Sequence, residues 1–471
     1  MKLLRSIAAL FCMLGILLAP VQSHAFLFSK FGLKEEMEMG RELEVLMRST
    51  LPIVEDPEIR NYVQGIVDRI VKTLPPQPYK FPANVVLHKS LNAFAAPGGF
   101  VFVYSGLIMN LKHESELAGV LSHEIAHVTQ RHIAGRIERG RMISLGSLAG
   151  MLAGVAAGLA GAGSAGGAAI VGTMAASSAA SLNYSRVDEN DADNVGMQYL
   201  VKAGYNPRGL RSAFEIMRSQ SWGSAGSIPA YLTTHPDMDL RITHMRSVMD
   251  TMPRALLARK DDDRQFHRVQ TLLWSRYGDA DHAWRFFNDR GDKNPVNLLG
   301  KAMLSSRQNR VEDAEKFFSK ALSLAPKDEL ILREAGIFEY EKGDIRKGRR
   351  YLEQALRIAP RDYYAAFFYA RLLDDAGDSE AAQKQYRDVL RHVPDDSEVH
   401  FYYGRSLGAS QKLCEGYVHL AYAELYKNNT KRAASWLERA KTAAKTEDEK
   451  GAIKTFEKKA KERAAIITKA K

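Results

Sequence analysis

The sequence predicts a mainly α-helical chain with a small antiparallel sheet, in which a globular N-terminal unit is followed by an α-solenoid. Three observations predict it. From Ser115 to Arg139, apolar Leu117, Val120, Leu121, Ile125 and Val128 recur at three- and four-residue steps, the mark of a half-buried helix. Just ahead lie two short runs, 83–88 rich in valine and 99–104 aromatic and β-branched, which suit strands. In the second half, Pro326, Pro360 and Pro394 stand 34 residues apart.

The chain has 471 residues, a length for two to four domains, and its 45% hydrophobic and 26% charged residues are ordinary for globular protein. Lys2 and Arg5 form a basic start, Ile7 to Leu18 an apolar core, and Ser23-His24-Ala25 a small-residue cleavage site. Residues 1–25 therefore read as a secretory signal peptide cut after Ala25. A retained anchor helix is the alternative, but the apolar core falls short of the roughly 20 residues of a bilayer span. Cys12 leaves with the signal, and Cys414 alone cannot make an internal disulfide. Export without a disulfide framework suits a bacterial periplasm.

Helices are expected at Lys34 to Ser49 and Pro57 to Leu74, the second ended by Pro75-Pro76-Gln77-Pro78. Between the two strand runs, residues 92–99 read as a short strand and a turn. Residues 144–181 are glycine and alanine at 22 of 38 positions, with no charge between Arg141 and Arg186. Close-packed or mobile helices, a disordered lid and a membrane-inserting small-residue face all fit that composition. A further amphipathic helix runs from Val187 to Ala203, with Gly204 as its cap and Pro207 beyond. More helices reach about Met252, and the charged run 259–264 marks a solvated boundary. The units are thus 26–255 and 256–471.

In the second unit, Ala321-Leu322, Ala355-Leu356 and Val389-Leu390 keep the 34-residue step, as do Asn309, Gly343 and Gly377. A turn residue between two helices and a proline after the second are the signature of tetratricopeptide repeats. Each helix pair leaves one apolar face bare until its neighbour stacks on it. The net charge is +11, and 427–471 holds 14 Lys/Arg against 6 Asp/Glu. That tail reads as a solvated basic helix face, with peripheral contact to anionic lipid heads as the alternative. Export argues against nucleic acid as a ligand.

The chemistry lies in His123-Glu124-Ile125-Ala126-His127. Histidines at i and i+4 share one helix face, one turn apart, where one Zn²⁺ can take both nitrogens at about 2.0–2.1 Å. Glu124 has the reach to act as general base on water activated there. The bland alternative is two solvated histidines. A catalytic zinc wants a third protein ligand. Glu189 and Asp193, again i and i+4, are the best candidates: one carboxylate can bind the metal while the other accepts the spare N–H of a ligand histidine. Spacing does not say which does which. Asp188 and Asp191 are rivals that read as surface acids. His88, His113 and His132 read as surface or packing residues; His132, five positions past His127, should point away from the metal face.

Together these motifs resemble the HtpX-type zinc peptidases of the gluzincin group. Asn92 to Gly99, Ser105-Gly106-Leu107, Thr234-His235-Pro236 and Arg241-Ile242 match as well. The signal peptide and the repeats narrow the likeness to the BepA-like periplasmic branch, over residues 26 to about 440. The resemblance implies a gluzincin-type metallopeptidase domain holding one Zn²⁺ per chain, with Glu189 as third ligand and Asp193 supporting the site. It also implies that His235 can fill the fourth position and keep the enzyme quiet, with Arg241 near the cleft. The activity implied is hydrolysis of unfolded or misassembled outer-membrane proteins, beside a chaperone role in their assembly. The repeats would engage the outer-membrane β-barrel assembly machinery. An extended substrate would pair with the edge of the 99–104 strand. The rival reading is a repeat-based chaperone or scaffold with a latent zinc site; a membrane-embedded peptidase would need the glycine–alanine segment to span.

Overall fold

The first described helix is the amphipathic α1 (Leu33–Thr50), in a computed structural model that describes residues 31–138, 184–223 and 230–470. The expected signal peptide and the glycine–alanine segment 144–181 lie outside the described residues. Helix α2 (Pro57–Val71) starts on Asp56, whose carboxylate accepts the Glu58 N–H, with proline at its first position. Ile59, Val63, Ile66, Val67 and Ile70 follow at helical steps and are all buried.

Three strands come next: β1 (Ala83–Val86), β2 (Ala93–Ala96) and β3 (Phe100–Tyr104), in the order β1-β3-β2. The sheet is mixed, not antiparallel: β2 pairs β3 antiparallel, but β1 pairs β3 parallel. The reason is topological. A three-residue turn, Pro97–Gly99, makes β2 and β3 a hairpin, and the loop after β1 crosses to the far side of β3 before β2 begins. The two side chains of each strand step go to different cores, which explains why the strands read as unbroken apolar runs. Phe94, Phe100, Phe102 and Tyr104 face α1, whereas Ala93, Ala95, Val101 and Val103 face α2 and the helices beyond. This order also makes β3 the central strand, so the expectation of a substrate on its edge fails. Val54 N–H to Val85 O and Leu87 N–H to Pro52 O occupy the outer side of β1. Strand β2 is left as the edge with no further strand paired to it, although all four of its residues are buried.

The short α3 (Ser105–Asn110) leads to α4 (Glu114–Thr129), whose residues from Ser115 to Val128 are all buried. Glu116 Oε2 accepts the N–H groups of Lys112 and His113 and starts the helix. The expected single run to Arg139 is broken: Arg131 takes φ 53°, and a separate α5 (His132–Glu138) follows. Helix α6 (Arg186–Lys202) lies against α4 and stops at Gly204, φ 86°. Helices α7 (Arg208–Gly223), α8 (Ala230–Thr234), α9 (Met238–Asp250) and α10 (Arg254–Leu257) complete this half.

The other half is a run of helix pairs: α11 (Arg264–Tyr277) with α12 (Ala280–Asp289), α13 (Pro295–Arg307) with α14 (Val311–Leu324), and α15 (Glu329–Glu341) with α16 (Ile345–Ile358). Next come α17 (Tyr363–Asp375) with α18 (Ser379–Leu390), α19 (Ser397–Ala409) with α20 (Leu413–Tyr426), and α21 (Thr430–Ala443) with α22 (Glu447–Ala470). Asn309, Gly343 and Gly377 each sit between the helices of one pair with φ of 58°, 99° and 87°, and Gln411 continues the series at 62°. Asp328, Asp362 and Asp396 cap the first helix of three successive units, a 34-residue signal that the sequence reading passed over. No helix among the described residues is long and apolar enough to cross a membrane. The basic end is a docked helix that buries Ile453 and Phe456 and turns Lys450, Lys454, Lys458, Lys459 and Lys461 outward.

The two halves share a core. Phe266, Val269, Leu272 and Leu273 of α11 join the cluster built on α2 and α4, and Gln270 donates to the carbonyls of Ile108 and Leu111 at 2.9 and 2.7 Å. Asp262 and Arg264 are exposed as a solvated boundary should be, but Asp263 accepts from Glu114 N–H and Arg259 donates to Val201 O. Buried charges close the seam. Arg276 pairs with Asp56 and Glu334, and Arg333 with Asp56, Glu334 and Asp362.

Candidate metal centre

One face of α4 presents His123 and His127, both wholly enclosed, with their Nε2 atoms 3.0 Å apart. Glu189 enters from α6, with Oε1 3.6 Å from His127 Nε2 and Oε2 3.6 Å from His123 Nε2. His235, just past α8, brings Nδ1 to 3.4 Å from His123 Nε2 and 2.9 Å from Glu189 Oε1. Ligand atoms on a tetrahedron of zinc-like radius stand about 3.3 Å apart. The separations just given, 2.9 to 3.6 Å, lie around that value, and these four residues, with donor atoms all within 4.8 Å of one another, form a group able to hold a metal among the described residues.

The charges of the donors suit a cation. Burial, reinforced by the Arg241 charge, pushes His123 down to about 4, and burial with the neighbouring histidines pushes His127 well below its usual value. Both rings stay neutral with a lone pair to give. Burial alone would raise Glu189, but His235 and Arg241 outweigh it and hold the carboxyl below its ordinary range. Glu189 Oε2 and Glu124 Oε1 are buried acceptors with no hydrogen-bond donor among the described residues. Such orphans call for an explanation, and a bound cation supplies one.

Asp193 and Glu189, left interchangeable by spacing, are separated by the structure. Asp193 Oδ1 lies 3.0 Å from His123 Nδ1, on the side away from the cluster, and so fixes which nitrogen of His123 faces inward. Arg241 grips both acids from beneath. Its Nη2 and Nε reach Asp193 at 2.6 and 2.9 Å, and Nη1 lies 2.7 Å from Glu189 Oε2, off hydrogen-bond geometry. Only 2% exposed and 4.2 Å above the Phe214 ring, Arg241 is a buried clamp and not part of an open cleft wall. It holds Asp193 far below the usual carboxylate range against the opposing effect of burial.

Glu124 stands beside the cluster. The Ala95 N–H, turned out from the edge of β2, donates to its Oε2 at 3.1 Å, which leaves Oε1 uncommitted and 3.6 Å from His235 Nε2. Burial raises this carboxyl to about 7.

Four further residues meet the centre that sequence reasoning did not place there. Tyr184 stacks on His127 at 3.9 Å, and Tyr231 stacks on His235 at 4.2 Å with its own hydroxyl buried and unpartnered among the described residues. Tyr231 precedes His235 by one helical turn, a spacing that could have flagged it. His132 does not point away. The left-handed Arg131 turns the chain back and sets His132 Nδ1 2.8 Å from His127 Nδ1. Asp191 is half exposed, as expected of a surface acid, yet its Oδ2 lies 3.1 Å from His132 Nε2. Asp188 caps its own helix with Ser185, and His113 pairs with Asp263, both away from the cluster.

Comparison with known proteins agrees with this architecture. Residues 55–249 match the description of peptidase family M48, and residues 297–328 and 339–400 match tetratricopeptide repeats. The beta-barrel assembly-enhancing protease of Escherichia coli (strain K12) is 27% identical over 308 residues, 63% of this chain and 61% of that one. A Vibrio cholerae relative is 30% identical over 311 residues, 64% of this chain and 63% of its own. The mitochondrial metalloendopeptidase OMA1 of Schizosaccharomyces pombe is 29% identical over 215 residues, 45% of this chain and 59% of that one. The chain spans a little over three-fifths of the length of the first two of these curated relatives.

Proposed function

We propose, from a chain that carries a peptidase family M48 domain followed by tetratricopeptide repeats, a zinc-dependent endopeptidase of the bacterial periplasm that acts on outer-membrane proteins during β-barrel assembly. It degrades chains that misassemble and chaperones others, and its repeats engage the assembly machinery. The observation that carries the chemistry is the buried group of four residues whose donor atoms lie within 4.8 Å of one another, with a carboxylate oxygen that accepts no hydrogen bond among the described residues, Glu124 Oε1, beside them. The relatives' names, beta-barrel assembly-enhancing proteases, support the substrate class, and the basic-then-apolar leader supports export.

His123, His127 and Glu189 would hold the ion, and two imidazoles with one carboxylate favour zinc. Zinc in such a site supplies Lewis acidity to a scissile carbonyl and brings the pKa of water to about 7. The protein's own groups do the rest. Glu124 takes a proton at Oε1 and returns it to the leaving amine; its Oε2 is fixed by Ala95 N–H, so the transferring oxygen is always the same one. An extended substrate would reach the unpaired edge of β2, beside Glu124, once that buried edge is uncovered. Asp193 and Arg241 do not touch the reacting atoms; they hold His123 and Glu189 in register.

His235 at the fourth corner favours a second reading, a non-proteolytic chaperone with a latent zinc site. Cleavage of casein and of an unfolded outer-membrane barrel by the full chain decides between them, with Glu124→Gln as control. The enzyme reading expects loss of about 10²–10⁴-fold in the variant. Equal cleavage by both proteins, or none by either even after His235→Ala, leaves the scaffold reading.

A further inference from the structure

A second line of hydrogen bonds reaches the centre through His127. His127 Nδ1 faces His132 Nδ1 at 2.8 Å, and His132 Nε2 faces Asp191 Oδ2 at 3.1 Å. We propose that His132 and Asp191 are positioning residues that lock His127 into the one tautomer able to ligate a metal through Nε2.

The tautomers follow by elimination. An ionised carboxylate only accepts, so His132 must carry its hydrogen on Nε2, toward Asp191. With His132 taken as neutral, its one N–H lies on Nε2, and Nδ1 is bare and accepts. The two facing Nδ1 atoms need one hydrogen between them, and His127 must supply it. His127 Nε2 is then bare, and that is the atom turned toward His123 Nε2 and Glu189 Oε1. The other tautomer of His127 would aim an N–H at the cation and leave two lone pairs 2.8 Å apart.

Each ligand histidine therefore leans on a carboxylate of α6. His123 meets Asp193 directly, and His127 reaches Asp191 through His132. The relay exists because the helix is interrupted. On an unbroken helix a residue at i+5 lies well round from i, at about 100° per residue. At Arg131, φ 53° reverses the path, and the Arg131 side chain anchors the bend by donating to Glu36 Oε2 at 3.0 Å and Phe31 O at 2.9 Å. His132 is 8% exposed and Tyr184 covers the adjoining face of His127, so the contact between the two rings is shielded from water.

This rests on the cluster being a metal centre, and the test separates the two claims. Zinc affinity of the full chain is measured by competition with a chromophoric chelator, alongside the melting temperature of the metal-free protein. His132→Phe is expected to weaken zinc by about 10–100-fold. His132→Asn, whose oxygen can accept from His127 while its amide donates to Asp191, should recover part of that. Asp191→Ala, at a half-exposed position, should cost about tenfold, with the metal-free melting temperature unchanged. Wild-type protein that binds no zinc overturns the metal reading and this proposal together. Tight wild-type binding with unchanged affinity in Asp191→Ala overturns the relay alone, even if His132→Phe fails to fold.

Discussion

Gly196 and His123 meet backbone to backbone: a methyl carbon on Gly196 would fall 2.9 Å from His123 Cα and 3.0 Å from its nitrogen. Helices α4 and α6 thus approach more closely than any side chain permits, and Glu189, two turns earlier on α6, is carried to the histidines by that approach. Gly196→Ala must push the helices apart. The expected cost is about 1–3 kcal/mol in urea unfolding, together with reduced zinc content. Unchanged zinc content would show that Glu189 reaches the histidines without this contact.

Glu189→Ala removes the only carboxylate among the described residues that lies near the Nε2 atoms of both histidines of α4. Metal analysis should fall from about one zinc per chain to nearly none. Asp193 cannot replace it, because Arg241 holds both of its oxygens.

His235→Ala opens the fourth corner while leaving three ligands in place. Zinc is retained and casein cleavage rises several-fold. Cleavage equal to wild type would mean that His235 does not restrain the centre.

Arg333 has a side chain 1% exposed and touches Asp56, Glu334 and Asp362. Arg333→Met strips one buried cation from three acids. Urea unfolding should register a loss of about 3–5 kcal/mol. A change below 1 kcal/mol would mean that Arg276 and water compensate.

Asp56 carries a pH dependence. Burial raises its pKa, but Arg333 and Arg276 outweigh burial and leave the folded value below the ordinary one. The unfolded chain then binds this proton first, so the stabilisation is present above about pH 3.9 and drains away as pH falls through the folded value. Urea midpoints taken from pH 5 to 3 should drop more steeply in wild type than in Asp56→Asn. Parallel curves would remove Asp56 from the acid response.

The repeats were readable because their signals are local. Pro326, Pro360 and Pro394 end helices wherever they stand, and Asn309, Gly343 and Gly377 accept a left-handed backbone that most residues resist. His123 and His127 were readable for the same reason, since four residues on a helix is one turn. What failed was non-local or set by a single torsion. The direction of β1 depends on which side of β3 it takes, and nothing within Ala83–Val86 encodes that. His132 was misplaced because Arg131, an unremarkable residue by type, breaks the helix under the hold of Glu36 from α1. The roles of Glu189 and Asp193 required the angle at which α6 crosses α4, which Gly196 permits and spacing does not reveal.

The guanidinium of Arg333 is shared by the carboxylate that begins α2, under the sheet, and the one that begins α17, in the solenoid. Neither start can come loose while the other persists without stranding an ion in a dry seam. Calorimetry should therefore record one cooperative endotherm for both halves, and a protease probing the solenoid alone should find no early-melting fragment to trim.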